Sequence, residues 1–189
     1  EAERVVYADL SKLMKNKVYF FANFGDWNSL PLGGGEVGNR RTLAIFKECG
    51  YDIRLIEKYH HINERSFLNK MRIPIKILGT IIKYVSILLA GRRKKAIVHI
   101  SGFYGNMVYF EMALIMISKL FRYKTVYEMR GGGAENFYNY GNKLYRNCFG
   151  TVIKKCDCVF SQGLENYKLI NHISPGKDIF YYPNFVMPD

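Results

Sequence analysis

Acidic residues are scarce in this sequence of 189 residues, where 16 Asp and Glu stand against 28 Lys and Arg. The formal net charge of +12 implies an anionic partner and leaves nucleic acid, a membrane surface and a phosphorylated substrate open. The excess is uneven, because residues 64–95 contain nine Lys or Arg and one acid. A charge that served only solubility would be spread over the whole surface.

The cysteines form none of the familiar metal-site patterns. Cys49, Cys148, Cys156 and Cys158 contain no C-x-x-C pair, and no histidine lies at zinc-ligand spacing from them. We therefore expect four reduced, largely buried thiols in a cytosolic protein, with no bound metal and no cofactor. No Ser/His/Asp, Cys/His or paired-carboxylate arrangement is recognisable, so the catalytic residues stay unknown.

A glycine-rich run, Gly33-Gly34-Gly35-Glu36-Val37-Gly38-Asn39-Arg40-Arg41, follows a strand-like segment and opens a helix-like one. A strand that is followed by a glycine loop and a helix points backbone N–H groups at a phosphate, and the arginines add fixed positive charge. The run has neither the G-x-G-x-x-G order of dinucleotide-binding proteins nor the lysine and Ser/Thr of a P-loop. Anion binding and a simple flexible turn both stay open.

Strand-like and helix-like segments alternate along the chain. The predicted strands cover residues 17–23, 51–57, 97–102, 124–129, 158–162 and 178–182. The predicted helices cover residues 36–49, 73–89, 106–121, 143–155 and 164–173. This alternation predicts an α/β fold with a mostly parallel sheet that is flanked by helices on both faces.

Polar and glycine residues follow several predicted strands. Gly131, Gly132 and Gly133 come directly after Arg130, at the end of the fourth strand. Because ligands of parallel sheets bind at the carboxyl ends of the strands, we expect this loop and the first glycine run to converge on one anion-binding crevice. The alternative is that the glycines only make tight turns.

Three side chains near these strand ends have two interpretations each. His99 lies inside the third strand, where a histidine is more often packed and hydrogen-bonded than catalytic. Glu128 and Arg130 flank one residue of the fourth strand, so both side chains fall on the same side of the sheet. They form either a structural ion pair or a ligand-binding arginine with its carboxylate.

The segment 73–95 is both apolar and basic. Lys76 and Lys83 interrupt the apolar run, which makes it a poor membrane span, and the block Arg92, Arg93, Lys94 and Lys95 follows it. One interpretation is a crossover helix packed on the sheet. The other is a helix that lies on an anionic membrane with its Lys and Arg at the level of the headgroups, and the two are compatible.

Several of these segments together resemble the amino-terminal domain of family 4 glycosyltransferases, which have the two-domain GT-B fold. Gly33-Gly34-Gly35-Glu36 followed by Gly50-Tyr51 is similar to the family's Gly-Gly-x-Glu run and the end of its first helix. The segment 97–102, Ile-Val-His-Ile-Ser-Gly, is similar to its third strand. Residues 156–162 resemble its Asp-strand-Ser segment, and residues 182–186 resemble its Pro-Asn-Gly-Val stretch, with Phe185 in place of the glycine.

The resemblance implies a Rossmann-like acceptor-side domain over residues 17–186. Residues 1–16 would be a vector-derived or disordered lead, and residues 187–189 the start of an interdomain hinge. The family's second domain, which binds most of the nucleotide sugar, has no counterpart in these residues. We therefore expect this part alone to be inactive. The family often has a histidine at the end of the fourth strand, where this chain has Glu128-Met129-Arg130.

The implied activity is that of a retaining glycosyltransferase of the hexosyltransferase type. It would move a sugar from a nucleotide-sugar donor, without a metal, to a saccharide or lipid-linked acceptor in bacterial surface polysaccharide synthesis. The implied residues near the donor diphosphate are Gly33, Gly34, Gly35, Glu36 and Arg40. The implied acceptor residues are His99, Gly102, Arg130, Gly131 and Gly132.

The implied location is the cytoplasm, with peripheral attachment to the inner face of the cytoplasmic membrane through Lys76, Lys83 and the block 92–95. Two alternatives stay open. The first is a basic nucleic-acid- or membrane-binding module without catalysis, although no nucleic-acid motif is present and no nucleic-acid partner is expected. The second is a small-molecule Rossmann enzyme, which the missing glycine fingerprint makes less favourable.

Overall fold

The computed structural model describes residues 17–58, 67–91, 96–103 and 105–183, and for residues 67–72 it describes the backbone only. The strands are β1 (Lys17–Ala22), β2 (Asp52–Glu57), β3 (Ala96–Gly102), β4 (Lys124–Met129), β5 (Cys158–Ser161) and β6 (Asp178–Tyr181). The helices are α1 (Gly34–Glu48), α2 (Phe67–Ala90), α3 (Val108–Leu120), α4 (Ala134–Tyr140), α5 (Lys143–Lys155) and α6 (Leu164–Ile173). The six predicted strands are confirmed, with ends that differ by at most one residue.

The strands form one sheet in the order β2-β1-β3-β4-β5-β6. The described pairings of β1 with β2, of β4 with β5 and of β5 with β6 are all parallel. Successive strands are joined through helices, as parallel pairing requires. The interiors of β1 and β3 are buried almost throughout, which explains why both strands are continuous apolar runs. The predicted Rossmann-like α/β fold is confirmed.

Two helical features differ from the prediction. α2 begins at Phe67 and passes through Pro74, whereas the sequence placed the helix start at residue 73. Proline is common in the first turn of a helix, so Pro74 indicated a start rather than an interior position. α4 was not predicted, because seven residues after a glycine triplet show too little periodicity to indicate a helix.

The chain divides into two compact units, Glu1–Ile97 and Val98–Asp189. In the first unit, the side chains of Val18, Phe20 and Ala22 pack with Leu43 of α1. The ring of Phe20 also meets Phe46 edge to face, with centroids 5.6 Å apart. Each fully buried aliphatic or aromatic side chain of this kind contributes about 1.5–3 kcal/mol.

In the second unit, Asp157 fixes the start of β5 against β4. Its Oδ2 accepts hydrogen bonds from the amide of Thr125 at 2.7 Å, the hydroxyl of Thr125 at 3.0 Å and the ammonium of Lys119. The amide of Asp157 donates to the carbonyl of Thr125 at 2.9 Å. Partial burial raises the pKa of Asp157, but the bonds from Lys119 and Thr125 outweigh it and leave the pKa below its ordinary value. Asp157 is therefore a structural anchor.

All four cysteines are free thiols. Cys148 and Cys156 are buried and Cys158 is partly buried, as predicted, but Cys49 is exposed. Cys49 is exposed because it follows the last residue of α1, where the chain turns at Gly50 on the surface. Burial raises the pKa of Cys156 and that of Cys158 to about 12, which keeps both thiols protonated and unreactive at neutral pH.

Candidate functional site

The glycine run of the first unit forms the start of α1, and this end of the helix is open to solvent. Gly33 is the N-cap residue, and no side chain caps the helix. The first amides that bond back are those of Glu36 and Val37, at 3.0 and 3.1 Å from the Gly33 carbonyl. Gly33 and Gly34 are exposed, and a Cβ atom added to either would meet nothing within 4 Å. The start of α1 therefore presents backbone amides and the positive end of the helix dipole to open space.

Arg40 supports the loop that precedes α1. Its Nε donates to the Phe24 carbonyl at 2.9 Å, and its terminal nitrogens donate to the carbonyls of Asp26 at 2.5 Å and Ser29 at 3.2 Å. The guanidinium also lies over the indole of Trp27, 5.2 Å from the ring centroid. These contacts engage most of the guanidinium N–H groups of Arg40 with the protein itself. Arg40 therefore stabilises this loop.

Glu36 also stabilises the loop between β1 and α1. Its buried carboxylate accepts hydrogen bonds from the Leu32 amide at 2.8 Å and from the Asn23 side-chain amide at 3.3 Å. Gly25 has a φ of +67°, and a Cβ atom there would lie 2.4 Å from the Glu36 carboxylate. Asn39 donates to the Asn23 carbonyl at 2.6 Å. Glu36 therefore stabilises the loop between β1 and α1. Its predicted contribution to phosphate binding would then be indirect, through the conformation of that loop.

A buried polar cluster in the second unit centres on Glu128, at the carboxyl end of β4. Oε2 of Glu128 lies 2.9 Å from Nε2 of His99, and Oε1 lies 2.6 Å from a terminal nitrogen of Arg130. The hydroxyl of Tyr182, just after β6, donates to the same Oε1. Glu128 and Arg130 form the ion pair that was one of their two interpretations, and the ligand-binding role of Arg130 stays a prediction. Tyr182 as a third partner was not predicted, because it lies 54 residues from Glu128 in the sequence.

Glu128 is ionised despite its burial. Only 1% of its side chain is exposed, and this desolvation raises its pKa. The hydrogen bond from His99 and the charge of Arg130 more than compensate, with a smaller contribution from Tyr182, and lower the pKa to about 2. Because an ionised carboxylate only accepts hydrogen bonds, Nε2 of His99 carries a proton in this contact. The cluster thus holds an imidazole and a guanidinium in fixed positions.

The glycine loop after β4 is tied to the loop after β5. The Gly131 amide donates to the side-chain oxygen of Gln162 at 3.4 Å, and Asn166 donates to the Gly131 carbonyl at 2.6 Å. Gly131 has a φ of +76°, which favours glycine. Gly131 and Gly132 are exposed, and a Cβ atom on Gly132 would meet nothing within 4 Å. This loop is therefore fixed at its start and open to solvent at its tip.

Gly102 serves packing at the end of β3. A Cβ atom added to Gly102 would lie 2.2 Å from the ring of Tyr127, so only glycine fits there. The hydroxyl of Tyr127 donates to the buried Glu111 at 2.6 Å, and the same carboxylate accepts the Phe103 amide at 2.8 Å. Burial and the neighbouring Glu111 raise the pKa of Tyr127 well above its ordinary value. The contacts of Glu111 could not be predicted, because an apolar helix pattern does not indicate what a single acidic residue within it will bind.

The hydroxyl of Ser101, at the end of β3, has no hydrogen-bond partner among the described residues, and the same holds for the side-chain oxygen of Asn166, near the start of α6. Both residues are fully buried. Buried polar atoms are nearly always satisfied, so such exceptions are frequent where a water or a ligand completes the site.

α2 carries an exposed apolar stripe. Ile75, Leu78, Ile82 and Leu89 are between 58% and 70% exposed, and the predicted membrane residues Lys76 and Lys83 are exposed as well. The opposite side of α2 is buried through Tyr84 and Leu88. Within the part of the chain that the structure describes, one helical segment, Ile73–Ala90, is long and apolar enough to cross a membrane, and 17% of it is buried. The predicted block Arg92, Arg93, Lys94 and Lys95 lies outside the described residues.

The structure therefore groups the predicted site residues by unit. In the second unit Glu128 links His99 to Arg130, and Gly131 and Gly132 follow directly, while Gly102 packs against Tyr127. In the first unit Gly33 and Gly34 are open, whereas Glu36 and Arg40 support the adjoining loop. The convergence of the two glycine loops on one crevice stays a prediction. Within the described residues, no group of three or more His, Cys, Asp or Glu could hold a metal ion.

Comparisons with known proteins assign no family to this chain. No family model matches the sequence, and no curated protein is similar enough to count as a relative.

Proposed function

We propose that this chain is the acceptor-side domain of a retaining glycosyltransferase. The enzyme would transfer a sugar, of the hexose type, from a nucleotide-sugar donor to a saccharide or lipid-linked acceptor in the synthesis of a bacterial surface polysaccharide. The observation that carries the proposal is the buried cluster of Glu128, His99, Arg130 and Tyr182, which an exposed glycine loop follows directly in the sequence. It lies at the carboxyl ends of parallel strands, where Rossmann-like sheets bind their ligands.

The energetics of this cluster favour a functional role over a purely structural one. Burying a carboxylate and a guanidinium costs several kcal/mol per ion, and an apolar pair of similar volume is often at least as stable. Val98, Ile100 and Met129, which neighbour these residues in the strands, are apolar and fully buried, although the sheet also buries the polar side chains of Ser101 and Ser161. A fixed cation beside exposed backbone amides is well suited to hold and orient a polar substrate.

We assign the residues as follows. Arg130, positioned by Glu128, faces the acceptor together with the backbone of Gly131 and Gly132, and His99 holds the other oxygen of Glu128. In the first unit, the open amides of Gly33, Gly34 and Gly35 receive the donor diphosphate, and Glu36 and Arg40 hold the preceding loop in shape. In this proposal the rest of the donor site would come from a second domain of the kind that the resemblance implies. No metal takes part in the proposal.

We further propose that α2 attaches the protein to the inner face of the cytoplasmic membrane. Apolar side chains on its exposed face would enter the acyl boundary, and Lys76 and Lys83 would meet anionic headgroups. The short block 92–95 adds four basic residues directly after the helix in the sequence. Attachment at the membrane would bring the domain to a lipid-linked acceptor.

The activity is tested with the complete gene product. Labelled UDP- and GDP-sugars are incubated with this protein and with a lipid extract of the source cells, and label in the extracted lipid or polysaccharide is counted. We expect transfer, and a loss of roughly tenfold or more in Arg130→Lys, because lysine cannot form the forked contact. The matched control is Arg146→Lys, at an exposed position on α5, which should stay near wild type.

Gln162→Ala is a second test variant, included in case Arg130→Lys does not fold. Gln162 contacts the glycine loop through a single long bond, so its removal should disturb the loop but leave the protein folded. No transfer from any sugar nucleotide, by a protein that is folded, would reject the glycosyltransferase.

The membrane proposal and the non-catalytic alternative are separated by binding assays. The 189-residue chain is mixed with phosphatidylglycerol-containing vesicles, with phosphatidylcholine vesicles and with oligonucleotides, each at increasing salt. We expect binding to the anionic vesicles, weakened roughly tenfold in Ile75→Ser/Ile82→Ser and unchanged in Leu120→Ser, an exposed leucine on α3. Binding to oligonucleotides alone would favour the nucleic-acid module instead.

A further inference from the structure

A cleft of about 380 Å³ lies on the surface of the second compact unit. None of its lining residues belongs to the Glu128 cluster. They come from the turn before α3 and its first turn, from α4, from the turn after α4 and from the first turn of α5: Asn106, Tyr109, Asn136, Phe137, Tyr140, Gly141, Asn142 and Tyr145. The volume is at the lower end of the ~300–1,000 Å³ typical of small-molecule pockets.

The floor of the cleft is a fixed aromatic surface. Tyr145 is 5% exposed and stacks on Phe149, with ring centroids 6.1 Å apart. The rings of Tyr109 and Phe137 each lie 6.3 Å from that of Tyr145. A Cβ atom on Gly141 would lie 2.5 Å from the Phe137 carbonyl and 2.7 Å from the Tyr145 ring, so glycine allows the two helices to meet here. The cleft is therefore preformed.

The aromatic rings around the cleft are unusually accessible. Phe137 is 49% exposed, Tyr109 is 36% exposed and Tyr140 is 89% exposed. Clustered exposed aromatic side chains beside a concave surface commonly mark a binding site. The negative face of an aromatic ring attracts weakly polarised C–H groups, such as those on the apolar face of a sugar ring.

The polar groups of the cleft are amides. Asn106, Asn136 and Asn142 are all exposed. The side-chain oxygen of Asn142 accepts the Tyr145 amide at 2.8 Å, which fixes the orientation of its NH₂ group. An amide both donates and accepts hydrogen bonds, as does the hydroxyl group of a sugar.

The cleft contains no charged side chain among its eight lining residues, although the protein has a net charge of +12. An anionic ligand, such as a phosphate or a nucleotide, would be expected to recruit Lys or Arg. A neutral ligand with many hydroxyl groups fits the amides and the rings together. We propose that this cleft binds a neutral saccharide of one or two rings and, where the proposed transferase activity holds, that it is a subsite for the acceptor chain.

Binding is tested by NMR on the ¹⁵N-labelled 189-residue chain. The probes are methyl glucoside, methyl galactoside, methyl N-acetylglucosaminide, lactose and cellobiose, with inorganic phosphate for comparison. We expect at least one sugar to shift the side-chain NH₂ signals of the cleft asparagines, with a Kd of roughly millimolar. Phosphate should leave them unchanged.

Matched variants locate the site. Tyr109→Ala and Asn136→Ala should each weaken sugar binding roughly fivefold to tenfold, since each removes one stacking face or one amide. Tyr167→Ala is the control for Tyr109, because the two tyrosines are 37% and 36% exposed. Asn147→Ala is the control for Asn136, because both asparagines are exposed helix residues in the same unit. Both controls should bind as the wild type does.

The outcomes separate this inference from the proposed function. Cleft signals that no sugar shifts, or equal losses in Tyr109→Ala and Tyr167→Ala, would overturn the saccharide site. Sugar binding at the cleft in a complete gene product that transfers no sugar would support the site and reject the enzyme. Transfer with an acceptor KM that Tyr109→Ala leaves unchanged would support the enzyme and reject the subsite.

Discussion

Replacing Glu128 with glutamine removes the charge that holds the polar cluster of the second unit together. The carboxylate accepts contacts from His99, Arg130 and Tyr182, and its side chain is only 1% exposed. Glutamine has nearly the same shape but leaves the buried guanidinium of Arg130 without its counter-charge. We therefore expect Glu128→Gln to destabilise the protein without a change in volume.

The magnitude follows from the pKa of Glu128. A pKa lowered from 4.5 to about 2 corresponds to roughly 3 kcal/mol of folding free energy at neutral pH. Because the folded-state pKa lies below the unfolded value, this stability is present above pH 4.5 and is lost as the pH falls through about 2. At pH 3 the carboxyl group is largely protonated in the unfolded chain, and about half of that contribution should remain.

The assay is urea unfolding of the wild type and the variant between pH 7 and pH 3. Other acids titrate in both proteins, so the difference between the two unfolding free energies isolates Glu128. We expect that difference to be roughly 3 kcal/mol at pH 7 and to shrink by about half at pH 3. Glu135→Gln, at an exposed position on α4, is the control and should change stability by less than about 0.5 kcal/mol. A difference below about 1 kcal/mol at pH 7, or one that does not vary with pH, would refute the reasoning.

Three further predictions concern packing, backbone conformation and thiol chemistry. Gly102→Ala should lower stability by about 1–3 kcal/mol in thermal unfolding, because its Cβ atom would overlap the Tyr127 ring; an unchanged Tm would contradict the packing. Gly25→Ala should cost at least about 1 kcal/mol, since φ is +67° and Glu36 occupies the space, whereas Gly33→Ala at an open position should be nearly neutral. Iodoacetamide on the native protein at neutral pH should label Cys49 and spare Cys156 and Cys158, as peptide mass spectrometry would report; equal labelling would show that the buried thiols are accessible.

The strands could be predicted because each is a short apolar run with a distinct boundary. Lys17–Ala22 is buried at five of its six positions, so its composition alone indicates a strand covered on both faces. α4 could not be predicted, because its helical state depends on packing with the helix that follows. The ring of Tyr138 in α4 lies against Phe149 of α5, with centroids 5.8 Å apart. Such a contact has no signature within seven residues of sequence.

The candidate site was predictable only where its parts are close in the sequence. The pair Glu128 and Arg130 followed from strand alternation, and the structure confirms it. The contact of Glu128 with His99 joins residues 29 apart, and the contact with Tyr182 joins residues 54 apart. Those distances are decided by the order of the strands in the sheet. The cleft was missed for the same reason, because Asn106 lies in the turn before α3 and Asn136 lies on α4.

The two arginines predicted at phosphate or acceptor sites turn out to share a feature. Arg40 donates to three backbone carbonyls of the loop that precedes α1, and Arg130 pairs with a buried carboxylate. A guanidinium with such partners is a fixed charge and loses little conformational entropy when a ligand binds, but it also has fewer donors to give. The backbone amides at the exposed Gly33 and Gly34 would then have to supply most of the direct hydrogen bonds to a donor phosphate. If the proposed recognition through the backbone holds, it would give the glycines of both loops a role beyond that of making tight turns.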